Sequence, residues 1–306
     1  AVYQGSIEAG ARSGAGILTM PDGVIYEGNW TKGKINGEST LTHANGDVFT
    51  GILQDGKREG RGKVVYAEGD VYEGQFHKDR RHGNGTFLAA DGYRYSGSWQ
   101  NGKISGRGEV RYPDGSIYIG AFLNDLPEGV GTITYPDGST YEGNWKAGVI
   151  EGAGKANYPN GLVYEGNFKN AQNHGYGIMT FSDSYRYEGN WKEGKRHGAG
   201  QARYRDGTTY VGGFVEGQRS GEGYIKMKDG FSYTGEWLGG EIHGFGTATY
   251  ANGDVYTGSF VDGRRQGTGT MRYATGGVES GTWDNGVLQP AEDAAPAPDE
   301  AASPSE

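Results

Sequence analysis

The sequence predicts an all-β protein: an elongated, single-layer antiparallel sheet, built as a solenoid of tandem 23-residue β-hairpins. Three observations predict it. The 306 residues include 60 glycines, 22 tyrosines, 10 phenylalanines and 6 tryptophans, but only 9 prolines. An aromatic residue recurs every 23 residues without insertion or deletion. Within each interval, aromatic and glycine positions alternate with polar ones, which is strand periodicity.

The glycine content alone would suggest collagen or low-complexity disorder. Collagen requires glycine at every third position, which is lacking, and disordered chains do not carry so many aromatics. The glycines therefore serve a regular fold. Hydrophobic residues make up only 34% of the chain, which suits one thin buried layer better than a two-layer globule. No run approaches the ~20 apolar residues of a membrane-spanning helix. With no cysteine, disulfides, thiolate metal sites and cysteine nucleophiles are excluded.

The repeat starts at Tyr3, Tyr26, Phe49, Tyr72, Tyr95, Tyr118, Tyr141, Tyr164, Tyr187, Tyr210, Tyr233 and Tyr256, with a partial unit at Glu279. Such invariant spacing marks a one-dimensional repeat protein. Counting each start as position 0, position +2 is always glycine and +4 is Trp or Phe, except at Ile7 and Leu53. From Trp99 the +4 residues alternate as a row: Trp99, Phe122, Trp145, Phe168, Trp191, Phe214, Trp237 and Phe260, ending at Trp283. Positions +11 and +13 read Gly-x-Gly, with Ser39 the one departure, and +15 is apolar throughout. A glycine near +7 and a Pro-Asp-Gly type of turn at the unit's end, as at Pro113–Gly115, close each hairpin. The glycines at +2, +11 and +13 are expected to leave hollows for neighbouring rings. Trp283, with no unit after it, is expected to be more lightly packed than Trp145.

The pattern Tyr-x-Gly-x-Trp…Gly-x-Gly…Tyr-x-Asp-Gly resembles the MORN (membrane occupation and recognition nexus) repeat over residues 3–286. The resemblance implies elongated single-sheet modules that act as scaffolds and docking surfaces, with any catalytic or membrane-anchoring part outside the repeats. It also implies a homodimer formed through the terminal repeats. Residues 1–289 are read as the array of twelve full repeats and a partial thirteenth. Residues 290–306, PAEDAAPAPDEAASPSE, are read as a disordered acidic tail.

Net charge is −9, of which the tail supplies −5, so nucleic-acid partners are disfavoured. His82, His174, His197 and His243 all stand at +10. Equivalent sites in successive hairpins are roughly 9.6 Å apart, too far for one zinc to bridge. The acidic or Asn residues at +19, such as Asp114 and Asp137, invite a calcium reading but match tight-turn chemistry better. No nucleophile elbow or phosphate loop occurs. The expectation is a protein with no catalytic residue, metal or cofactor.

Positions +8 and +9 carry a basic edge: Lys57, Arg58, Arg80, Arg81, then Lys195, Arg196, Arg219, Arg264 and Arg265. Leu126, Pro127, Val149, Ile150, Gln172 and Asn173 form a neutral gap between the two clusters. The favoured reading is a non-catalytic scaffold or protein-interaction module with a protein partner. Two alternatives stand beside it: a peripheral membrane protein that binds phosphoinositides or other anionic lipid, and a carbohydrate-binding protein. A chain beginning at Ala1 rather than Met is expected to have lost a signal segment, which leans toward an exported or periplasmic setting without excluding the cytoplasm.

Overall fold

The computed structural model describes residues 1–290; the acidic tail expected from residue 290 lies outside the described residues from 291 onward. Every regular element among the described residues is a β-strand. The chain divides into two compact units, Ala1–Ser182 and Asp183 onward.

The first unit holds sixteen strands, from β1 (Val2–Glu8) and β2 (Ala11–Thr19) to β16 (Gln172–Thr180). Its middle consists of β9 (Arg94–Gln100), β10 (Lys103–Arg111), β11 (Ile117–Leu123), β12 (Leu126–Thr134), β13 (Thr140–Lys146) and β14 (Val149–Asn157). Each pairs antiparallel with the strand before and the strand after it. The second unit repeats the plan from β17 (Arg186–Lys192) to β25 (Val278–Asp284) and the two-residue β26 (Val287–Leu288).

Two-residue turns close most hairpins. Lys32 (φ 50°) and Gly33 (φ 81°) both adopt left-handed backbone, as do the equivalent residues Ala147 (φ 47°) and Gly148 (φ 82°). This is the turn whose twist matches the flanking strands. Successive turns are stitched by backbone bonds such as Gly148 N–H to the Pro127 carbonyl, 2.9 Å. At the other end of the hairpins the +19 carboxylates cap their own turns. Asp114 Oδ1 accepts from Ser116 N–H and Asp137 Oδ1 from Ser139 N–H, both at 2.8 Å.

All large core side chains lie on one face. From Tyr72 to Tyr256 the position-0 tyrosines lie over the glycines at +2 and +13, which pair across the hairpin, as Gly120 does with Gly131. A Cβ on Gly131 would come within 2.3 Å of the Tyr118 hydroxyl. The hollows expected at +2 and +13 are therefore present. Position +11 is different: Gly152 has φ +85° and sits in a bulge, where Glu151, Gly152 and Ala153 oppose Asn144 alone. It provides a backbone conformation rather than a hollow. The bulge keeps +9 on the ring face, opposite +4, as in the Trp145–Ile150 pair.

Candidate interaction surfaces

The ring face is a closed ladder. Tyr118 stands edge-on to Phe122 of its own repeat (5.0 Å between centroids) and to Trp145 of the next (5.1 Å). The second unit repeats this with Tyr210, Phe214 and Trp237. Polar atoms are satisfied within the ladder. Trp145 Nε1–H donates to the Gly131 carbonyl at 3.2 Å, and the Tyr118 hydroxyl donates to the Ala121 carbonyl at 3.0 Å. Trp99, Phe122, Trp145 and Phe168 in the first unit, and Trp191, Phe214, Trp237 and Phe260 in the second, are all buried. They form the core and offer no stacking platform to a sugar.

Trp283 corrects the expectation of a lightly packed terminal ring. It is 3% exposed, against 8% for Trp145. A +4 ring is covered by the tyrosine and the +9 side chain of the repeat before it. Here these are Tyr256 at 5.3 Å and the Arg265 guanidinium at 4.3 Å. No following repeat is needed. Glu279 replaces the position-0 tyrosine of the last unit and accepts a hydrogen bond from the Tyr273 hydroxyl at 2.6 Å.

The nine residues of the basic edge separate into two groups. Arg58, Arg81, Arg196, Arg219 and Arg265, all at +9, turn onto the ring ladder. Each lies over the +4 ring of the following repeat: Phe76 at 5.1 Å, Trp99 at 4.8 Å, Phe214 at 5.2 Å, Trp237 at 4.3 Å and Trp283 at 4.3 Å. Arg58, Arg196 and Arg265 also donate to turn carbonyls of the following repeat, those of Asp79, Gly217 and Gly286. Arg12, not singled out in the sequence, does the same over Trp30 at 4.4 Å. These arginines are lids on the core, standing where Ile35 and Ile104 are buried in other repeats. Lys57, Arg80, Lys195 and Arg264, all at +8, point outward and are exposed. Lys195 is held by Glu216 at 2.5 Å, and the pair raises the lysine's pKa while lowering the carboxylate's.

The opposite face is open. In the first unit it carries a trough of about 820 Å³ over β9–β13, lined by Arg94, Arg107, Arg111, Ile119, Val130 and Glu142 among others. A second, of about 1040 Å³, adjoins it and shares Arg94, Ser96 and Gly97. The floor is the paired backbone of Gly97, Gly108, Gly120 and Gly131. Its peptide groups are used in the ladder, so recognition falls to the rim side chains. Among the described residues no group of three His, Asp or Glu side chains is placed to hold a metal ion.

The MORN repeat family model matches this chain twelve times, at residues 3–25, 26–48, 49–71, 72–92, 95–117, 118–140, 141–163, 164–184, 187–209, 210–230, 233–255 and 256–278. The chain belongs to the MORN repeat family. No curated protein matches it. Among solved structures, it is similar to the TCP10 domain of Danio rerio CPAP in complex with a peptide of STIL. That similarity has 13% identity over 87% of this chain and 98% of the other, with a TM-score of 0.34. It is also similar to the TCP domain of Drosophila melanogaster SAS-4 with a proline-rich motif of Ana2, at 15% identity over 56% and 85% of the two chains, TM-score 0.31. With TM-scores below 0.5, these likenesses do not bear on the function of the MORN array.

Proposed function

We propose that this MORN array is a non-catalytic protein-interaction scaffold, with a protein segment held on the face opposite the rings. The carrying observation is a division of labour between the faces. Inward positions repeat almost without change: tyrosine at 0, glycine at +2 and +13, Trp or Phe at +4. Outward positions vary from unit to unit, with +1 being Thr50, Glu73, Ser96, Ile119 and Glu142 in succession. A constant core with a variable exposed face supports a display surface. The basic edge gives less support to lipid binding, because its +9 members cover the core and Lys195 is paired.

Self-association through the terminal repeats belongs to the same proposal. Among the described residues β1 pairs with β2, and Val2 and Ile7 are exposed, which suits pairing with the same strand of a second copy. The test is cross-linked co-purification of the full chain from its native source, followed by reconstitution with the purified partner. A saturable protein complex is expected, without turnover of generic ester, phosphate or glycoside substrates. Recovery of lipid alone, or measurable turnover, would overturn the reading.

A further inference from the structure

Large apolar side chains stand singly or in pairs on the open face, as Ile52, Val211, Val215, Leu238 and Phe245 do, but the β11–β12 hairpin gathers four aliphatic ones. On β11 and β12 that face carries Ile119, Ala121 and Leu123, then Leu126 and Val130. The four larger side chains are 47–62% exposed. Glu128, between Leu126 and Val130, is turned to the next repeat, where it accepts from Ala147 N–H at 2.8 Å. Equivalent positions of the preceding hairpin are Ser96, Ser98, Gln100, Lys103 and Arg107, and those of the following one are Glu142, Asn144, Lys146, Val149 and Ala153. Leu123 and Leu126 face each other across the turn, and Val130 stands further along the same strand. Only 34% of the chain is hydrophobic, so four large aliphatic side chains on one exposed stripe are an uneven use of scarce apolar residues.

The stripe has a charged neighbour on one side. Arg107 pairs with Ala121 across β10–β11, and Arg94 pairs with Arg111 across β9–β10. All three arginines are exposed on the rim of the 820 Å³ trough. Glu109 pairs with Arg111 at 2.8 Å. On the other side stands Glu142, opposite Thr132. An apolar ridge, a cationic ridge and a backbone floor with no spare donors thus lie side by side.

We infer that the apolar stripe of β11–β12 and the arginine ridge of β9–β10 together dock an acidic, amphipathic segment of a partner protein. The segment carries large apolar side chains toward Ile119, Leu123, Leu126 and Val130, and carboxylates toward Arg94 and Arg107. This rests on the scaffold reading and names its surface and the chemistry of its partner. Charge complementarity sets the orientation: carboxylates face β9–β10 and avoid Glu142. The chain's own acidic C-terminal sequence is a poor match, since it has carboxylates but no Leu, Ile, Val or aromatic residue.

The test pans a random displayed-peptide library on the full chain and measures synthetic copies of the enriched peptides by fluorescence anisotropy. Enriched peptides are expected to combine several large apolar residues with net negative charge. Leu123→Ser/Leu126→Ser should weaken their binding by about tenfold or more. Arg94→Glu/Arg107→Glu should do the same and flatten the salt dependence. Both double variants change exposed side chains only, and unchanged melting curves confirm that the fold is intact.

Enriched peptides that bind both variants as tightly as wild type would overturn this surface and leave the scaffold reading standing. Failure to enrich any peptide, together with no saturable partner in the native co-purification, would overturn both. Two further results would also overturn the proposal by giving the stripe another occupant. One is binding to phosphatidylserine-containing vesicles that the leucine variant abolishes while no peptide binds. The other is a wild-type dimer that the same variant turns into a monomer by light scattering.

Discussion

Tyr118 and Trp145, from successive repeats, meet edge-to-face at 5.1 Å with an interplanar angle of 80°. Tyr141 approaches the same indole from its own repeat at 5.6 Å. Trp99, Phe122, Phe168, Phe214, Trp237 and Phe260 are likewise gripped by two tyrosines each, and the repeats cohere through ring contacts worth about 0.5–1.5 kcal/mol each beyond their buried area. Trp145→Ala removes both contacts and the bond to the Gly131 carbonyl. We expect a loss of about 3–5 kcal/mol, read from the midpoint of a denaturant melt. Trp283→Ala should approach the same loss, because Tyr256 and Arg265 bury that ring without a following repeat. A terminal variant that melts like wild type would show that burial there contributes little.

Arg264 and Arg265 are adjacent in sequence and opposite in role. Arg264 points outward to Asn285 Oδ1 at 3.2 Å, while Arg265 covers Trp283 and donates to the Gly286 carbonyl. Arg265→Glu forfeits a cation–π contact and a charged hydrogen bond, and should cost about 1–3 kcal/mol. Arg264→Glu should stay within about 0.5 kcal/mol of wild type. Thermal melts of the two single variants check the difference, and equal losses would contradict the lid assignment.

The sequence shows the register, the hairpins, the paired hollows and the buried row, because all follow from one period repeated without error. It does not distinguish three kinds of glycine. Gly131 beneath a ring, Gly152 in a bulge and Gly148 in a turn look alike until the strand pairing is known. For a similar reason +8 and +9 read as one basic edge. The bulge between Ile150 and Gly154 fixes which of the two positions faces the rings, and a bulge carries no signature beyond one more glycine. The open-face stripe did leave a signal. Ile119, Leu123 and Val130 occupy the polar phase of the period, and Leu126 falls in the neutral gap of the edge.

Gly131→Ala tests the hollow directly. The added methyl would meet the Tyr118 hydroxyl at 2.3 Å and its ring carbons at 2.5 and 2.6 Å, closer than real contacts allow. Tyr118 is wedged between Phe122 and Trp145 and cannot move aside cheaply. Overpacking should cost about 1–3 kcal/mol, although alanine is the more rigid residue in the unfolded chain. A variant at least as stable as wild type in urea would mean the tyrosine does not need that hollow.

Alkaline pH should dismantle the tyrosine ladder from within. Burial is the first cause that raises the phenol pKa of Tyr118, Tyr141, Tyr187 and Tyr210, from the usual value near 10 to about 12. Arg196 and Arg219 pull Tyr187 and Tyr210 part of the way back. Below pH 10 both folded and unfolded chains hold these phenols neutral, so their contribution is fully present. Between pH 10 and about 12 the unfolded chain ionises first, and stability falls with every unit of pH. Because several tyrosines share the shift, the decline should be steep rather than gradual. Tyrosinate absorbance should rise in step with loss of strand circular dichroism. If these phenols ionise near pH 10 while the fold stays intact, the ladder is open to solvent and its assignment as the core fails.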